Sequence, residues 1–148
     1  MKKMLVTGGC GFIGSNLSKK LLEEGYEVTI VDNLSSPRDD FSDFIKENPN
    51  LELVPLCFSS DYVLKRIRQK EFSVIFHNAA IPRVSYSVEN PTLTTEANIY
   101  KTVALMEAAV DNVDRFVFAS SSSVYGGADV LPTPPDHSKD PKSPYAWQ

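Results

Sequence analysis

The segment Thr7-Gly8-Gly9-Cys10-Gly11-Phe12-Ile13-Gly14 limits this chain more than any other. It spaces Gly8, Gly11 and Gly14 as G-x-x-G-x-x-G, between the apolar run Met4-Leu5-Val6-Thr7 and an amphipathic stretch. A strand leading through such a loop into a helix is the context that gives the spacing meaning. The first glycine permits a tight turn, the second lets the backbone approach a pyrophosphate, and the third lets the helix pack closely. The anion then rests on the helix N-terminus, where free N–H groups and the helix dipole favour negative charge.

The rest of the chain repeats the alternation. Residues 4–7 predict a short buried strand. A helix follows over 12–24, with Phe12, Ile13, Leu17, Leu21 and Leu22 at helical spacing and Gly25 as its stop. Strands are expected over 27–31, 51–56, 73–77 and 115–119, and helices over 37–47, 61–70 and 91–110. Near-continuous apolar strands joined by helical crossovers predict an α/β fold: a doubly wound parallel sheet covered on both faces. Beyond Tyr125, Pro132, Pro134, Pro135, Pro141 and Pro144 exclude long regular elements and predict a long loop. The last residues begin the first turn of another helix. The whole of 1–148 is read as one domain.

The second strand ends at Asp32, roughly 20 residues after the third glycine, where a carboxylate can accept ribose hydroxyls. It would repel the additional phosphate of NADP, and Asp32-Asn33-Leu34-Ser35-Ser36 contains no Lys or Arg. The expected cofactor is therefore NAD. The 148 residues can bury roughly 70% of the surface the unfolded chain exposes, so no disulfide staple is needed. Cys10 and Cys57 stand in no metal or redox pattern and read as reduced thiols, which with no apolar run near bilayer length predicts a cytoplasmic protein. The net charge of −4 argues against nucleic acid and membrane surfaces as partners. No metal site is expected.

Taken together, these stretches resemble the extended short-chain dehydrogenase/reductases, in particular the NAD-dependent nucleotide-sugar epimerases and dehydratases of the UDP-glucose 4-epimerase kind. The resemblance rests on Thr7 through Ser15, Val31-Asp32-Asn33-Leu34, His77-Asn78-Ala79-Ala80, Glu89-Asn90-Pro91, Asn98, Ser120 through Gly126, and Ser143-Pro144-Tyr145. It implies a Rossmann fold, tightly held NAD, a UDP- or dTDP-sugar substrate, and hydride transfer through a transient keto-sugar. On the same resemblance the cofactor is met by Gly8, Gly11, Phe12, Ile13, Gly14, Asp32, Asn33, Ser35, Ser36, Cys57, Phe58, Asn78, Ala79, Ala80 and Asn98. Ser121 takes the place of the catalytic hydroxyl, Ser123 touches substrate, and Tyr145 is the base of a Tyr-x-x-x-Lys motif. His77, at a strand end, reads as structural.

The chain also departs from that pattern. It ends at Gln148, one residue short of the expected lysine, and the portion that completes the sugar site is not in the sequence. A phenol with an ordinary pKa near 10 is ionised to only about one part in a thousand at pH 7, so the chain alone is expected to be inactive. Cys57 stands where the family usually has an Asp facing adenine, which predicts a weaker adenine grip. Lys101 replaces a frequent Gly, which predicts altered helix packing. The alternative reading is a free-standing, non-catalytic dinucleotide-binding protein. An exposed apolar side on helix 91–110 predicts a homodimer or higher self-association.

Overall fold

Five short apolar runs become adjacent strands of one parallel sheet. The computed structural model describes residues 2–36, 41–127 and 129–148, without the side chains of 41–43. In chain order the elements are β1 (Lys3–Thr7), α1 (Phe12–Glu23), β2 (Glu27–Val31), α2 (Phe41–Glu47), β3 (Leu51–Val54), α3 (Asp61–Arg68) and β4 (Val74–His77). They continue with α4 (Val84–Glu89), α5 (Pro91–Thr95), a π-helical turn (Glu96–Tyr100), α6 (Lys101–Ala109), β5 (Arg115–Phe118), a 3₁₀ turn (Ser122–Tyr125) and α7 (Pro144–Trp147). The strand order is β3-β2-β1-β4-β5, all pairs parallel, with Thr7 opposite Val31 on one side and His77 on the other. This is the doubly wound order, whose direction reverses between β1 and β4.

Alternation along β1 divides the core. Met4 and Val6 pack with Leu21, Val28, Ile30 and Leu51 beneath α1 and α2. Leu5 turns to the opposite face, with Val63, Leu64 and Ile67 of α3, Ile75 of β4 and Leu105 of α6. Period-two side-chain alternation makes each strand serve two apolar layers, so the sheet must be covered on both sides. Burying one such Leu or Ile stabilises the fold by roughly 2–3 kcal/mol. The helix ends follow from backbone chemistry. Gly25, at φ +84°, sends its N–H to Leu22, and Tyr26 sends its N–H to Leu21, closing α1 with paired end bonds.

The described chain forms two compact units. The first is Met1–Ala79 with Lys101–Ala119, and contains the whole sheet. The second is Ala80–Tyr100 with Ser120–Gln148. Every strand expected from the sequence is present, each within two residues of the expected ends. The start of the helix expected over 37–47 lies outside the described residues, and the remainder is α2. The helix expected over 91–110 arrives as α5, the π-helical turn and α6, because buried Asn98 is committed to main-chain groups outside the helix. One wide turn swings that side chain to its partners at the cost of regular winding. The short helix α4 had no legible signal, since its residues carry no 3.6-residue apolar repeat.

A charged cluster closes one side of the first unit. Arg66 of α3 donates to both oxygens of Glu52 at 2.9 and 2.7 Å and to both oxygens of Glu71 at 2.7 and 2.6 Å. Lys3 adds a 2.7 Å bond to Glu71, and Thr29 donates to Glu52. The guanidinium's hydrogen bonds hold the Glu71 carboxyl down to about 2. Arg66→Ala leaves two adjacent carboxylates with one lysine, and is expected to cost about 2 kcal/mol, less than for a fully buried pair because solvent screens the cluster. The contribution of Glu71 is present above its ordinary value of 4.5 and lost as pH falls toward 2. Urea titrations should therefore show the gap between wild type and variant narrowing over that interval.

Candidate functional site

The ends of β1, β2 and β4 converge on the glycine loop, all within the first unit. Gly8 leaves β1 at φ +66°, and a Cβ there would sit 2.9 Å from the Cα and N of Ala79. A side chain at Gly14 would meet the Gly8 carbonyl oxygen at 2.3 Å. Its tight partner is thus the loop itself. Gly9, which the spacing argument passed over, lies against Ile30, with a Cβ position 2.5 Å from that side chain. Gly11 differs from these three. A Cβ there meets only the Gly8 oxygen, at an ordinary 3.4 Å. Internal packing explains Gly8, Gly9 and Gly14, and leaves Gly11 with an open flank.

Asp32 clasps this loop. One carboxylate oxygen accepts the Cys10 N–H at 3.0 Å and the other accepts the Leu34 N–H at 2.8 Å. Leu34 sits at φ +57°, in the bend that follows, and Asn33 accepts the Ser35 N–H at 3.2 Å. Ser35 and Ser36 are exposed in that bend. Burial and then the Asp32 charge push the Cys10 thiol up to about 12, so it stays protonated at neutral pH. Helix α1 has no side-chain cap at Gly11 and no acidic residue in its first turn. Its first N–H groups are therefore suited to an anion. Phe12 and Ile13, 74% and 64% exposed, flank them.

At the switch point between β1 and β4, Thr7 and His77 lie opposite one another. The His77 ring spans two hydroxyls, with Nδ1 2.7 Å from Thr7 Oγ1 and Nε2 2.9 Å from Thr102 Oγ1. A neutral imidazole satisfies both, donating through one nitrogen and accepting through the other. Thr7 Oγ1 also accepts the Ala79 N–H at 3.2 Å, and the Asn78 N–H reaches the Thr7 carbonyl. The histidine is thus structural, as expected, and braces the 78–79 turn. The Asn78 Nδ2 atom is buried and has no partner among the described residues. An orphaned amide there, the uncapped α1 and the open flank of Gly11 together fit a dinucleotide. Phe58, also expected to meet the cofactor, lies in the core. Its ring is 9% exposed and packs edge-on against His77 at 4.8 Å. Cys57 Sγ lies 3.2 Å from Ser59 Oγ.

The hydroxyl pair belongs to the second unit. Ser121 caps the 3₁₀ turn, its Oγ accepting the Ser123 N–H at 3.2 Å. That turn packs against α7, which carries Tyr145. Gly126, at φ +67°, lies so close to Asp140 that no side chain fits, and Asp140 N–H bonds to the Val124 carbonyl. The long loop therefore returns to its own base before α7 begins. Ala80 is exposed. Asn98 is 7% exposed, and its amide binds the Ile81 N–H at 2.8 Å and the Ile81 carbonyl at 3.3 Å. It acts on the loop after β4. Sequence reasoning missed Ser87, whose oxygen accepts the Tyr145 N–H, because nothing in the sequence around it signals a partner so distant. Among the described residues no helix is long and apolar enough to cross a membrane, and no group of side chains could hold a metal ion.

Burial pushes His77 down to about 4 from an ordinary 6.5, so the folded protein resists a proton that the unfolded chain accepts. Its contribution to stability is whole above 6.5 and is lost as pH falls toward 4, by up to about 3 kcal/mol. Denaturant titrations from pH 7.5 to 4 should show this slope in the wild type and its loss in His77→Gln.

The family model described as GDP-mannose 4,6 dehydratase matches residues 5–147. A putative UDP-glucose 4-epimerase of Methanocaldococcus jannaschii is 38% identical over 144 residues, covering 96% of this chain and 46% of the relative. The crystal structure of UDP-glucose 4-epimerase from Thermotoga maritima with UDP-glucose is 35% identical, with TM-score 0.85 over 98% of this chain and 47% of that one. The UDP-glucose 4-epimerase of Stenotrophomonas maltophila with bound NAD and formylated UDP-arabinopyranose is 29% identical, with TM-score 0.88 over 99% and 45%. The chain thus spans about half the length of the curated relatives it matches. With a family model matched over residues 5–147, the chain belongs to the GDP-mannose 4,6-dehydratase family of nucleotide-sugar epimerases and dehydratases.

Proposed function

We propose that this chain is the NAD-binding portion of a nucleotide-sugar 4-epimerase or dehydratase, acting on a UDP- or dTDP-sugar. The observation that carries this reading is the bonding of Asp32. Its carboxylate lies at the end of β2, joined to the Cys10 N–H of the glycine loop, which places negative charge beside the loop. Ribose hydroxyls can donate to the carboxylate lone pairs that its two backbone bonds leave over. A 2′-phosphate in the same place would be repelled. Gly11 and the first N–H groups of α1 would take the pyrophosphate. Asn78 and Ala79, held by Thr7, would line the cofactor where β4 ends.

Bound NAD supplies the acceptor and donor of hydride. In this reading the chain's own residues manage the proton and the oxygen. The Ser121 hydroxyl holds the reacting sugar oxygen by a hydrogen bond. Tyr145, as phenolate, removes the sugar hydroxyl proton and later returns it. A cation beside the phenol favours the phenolate, and in the family pattern a lysine one helical turn on supplies it. Holding the sugar falls to the portion that the relatives possess beyond the matched half. Val103 and Met106 of α6 and Val110 just past its end, all exposed, support self-association as part of the same reading.

Calorimetry should show NAD binding at least about tenfold tighter than NADP, the scale of one close charge–charge interaction near a protein surface. Asp32→Ala should narrow that preference. Equal or better NADP binding by the wild type would overturn the assignment. In coupled assays with UDP-glucose and UDP-galactose, the 148-residue polypeptide is expected to bind NAD without turnover. The product of the complete reading frame should turn over and lose activity in Tyr145→Phe. A complete product that binds NAD and transforms no sugar nucleotide would instead favour a non-catalytic binding protein.

A further inference from the structure

Tyr145 stands in the first turn of α7, where main-chain N–H groups have no partner within the helix. Those N–H groups need partners, and Pro144 at the first position has none to offer or satisfy. The Ala146 N–H is met locally, by Ser143 Oγ at 3.2 Å. The Tyr145 N–H is met from far along the chain, by Ser87 Oγ of α4 at 3.0 Å. Ser87 is fully buried, and its own proton is committed to the Val84 carbonyl at 2.6 Å. A hydroxyl whose donor is engaged presents lone pairs in set directions, so Ser87 fixes where the Tyr145 backbone can sit.

Gln148, three residues after Tyr145, is held as well. The Gln148 amide donates to Thr94 Oγ1 and Thr95 Oγ1, both at 3.0 Å, and its carbonyl oxygen accepts from Asn98 at 2.9 Å. Thr94 is fully buried. One donor-acceptor amide is thus saturated by α5 and the π-helical turn, all within the second unit. Asn98 carries this hold onward to the backbone of Ile81.

We propose that Ser87 and Gln148 are positioning residues for Tyr145, seating its helical turn so that the phenol is presented at a set place and angle. This rests on the reading of Tyr145 as the proton-transferring group. Neither side chain is asked to touch the substrate. Their loss acts through displacement of the phenol, and a displacement of about 1 Å can cost a hundredfold in rate.

The test compares Ser87→Ala, Gln148→Ala and Tyr145→Phe in the product of the complete reading frame, with UDP-glucose as substrate. It is paired with amide hydrogen exchange on the 148-residue chain. The expected result is a kcat about 10–100-fold lower in each positioning variant, with KM and NAD affinity within about threefold of wild type. The Tyr145 amide should exchange at least about tenfold faster, while β1 and β4 amides keep their protection. Gln148→Ala removes three part-buried side-chain bonds and no residue of the apolar core, so it decides the matter if Ser87→Ala fails to fold. Unchanged Tyr145 exchange in the variants overturns the proposal. So does unchanged kcat where Tyr145→Phe is inactive. A Tyr145→Phe enzyme that retains full turnover overturns the role of Tyr145 itself, a separate failure.

Discussion

The close approach of the loops after β1 and β4 is the constraint on which the first unit depends. The Gly8 backbone stands where a Cβ would fall 2.9 Å from Ala79, and the Thr7 hydroxyl holds the Ala79 N–H from beneath. Two adjacent parallel strands whose connections leave in opposite directions open a crevice at their carboxyl ends. Here that crevice is drawn tight by backbone contact, which is possible only without a side chain at Gly8. The helix α1 then starts close against the loop, since Gly14 brings its backbone onto the Gly8 carbonyl. The anion-favouring end of α1 is thereby set beside the end of β2 and the carboxylate of Asp32.

The polar groups at this place are arranged so that each fixes a backbone segment. Asp32 uses both oxygens on main-chain N–H groups, Thr7 reaches from β1 to the turn after β4, and His77 joins Thr7 to Thr102. Low solvent exposure strengthens such bonds and makes any unpaired member costly. The unpartnered Asn78 amide stands out for that reason. In the second unit the same logic operates on a smaller scale. The turn that carries Tyr145 is seated by side-chain hydroxyls of α4 and α5 and by the Asn98 amide of the π-helical turn.

Much of this was legible along the chain. Apolar runs alternating with amphipathic stretches predict a two-faced parallel sheet, because short-range periodicity is set by side-chain geometry that each strand and helix carries by itself. Gly8, Gly11, Gly14 and Asp32 were readable because the chemistry of a tight turn or an acceptor needs particular residues at particular spacings, whereas Ser121 and Tyr145 were reached only through resemblance to a known family. The structural character of His77 followed from its place at a buried strand end.

Other features were decided only in three dimensions. That Gly9 must also lack a side chain depends on Ile30, one strand away. That Phe58 turns into the core, against His77, depends on how the segment after β3 lies on the sheet. The π-helical turn exists because Asn98 is drawn to the Ile81 backbone, and the seat of Tyr145 joins residues 58 positions apart. Local sequence determined which elements form and which loop chemistry they carry. Tertiary structure decided which backbone donor meets which distant acceptor, because a hydrogen bond between far-separated residues leaves no periodic trace in either segment that makes it.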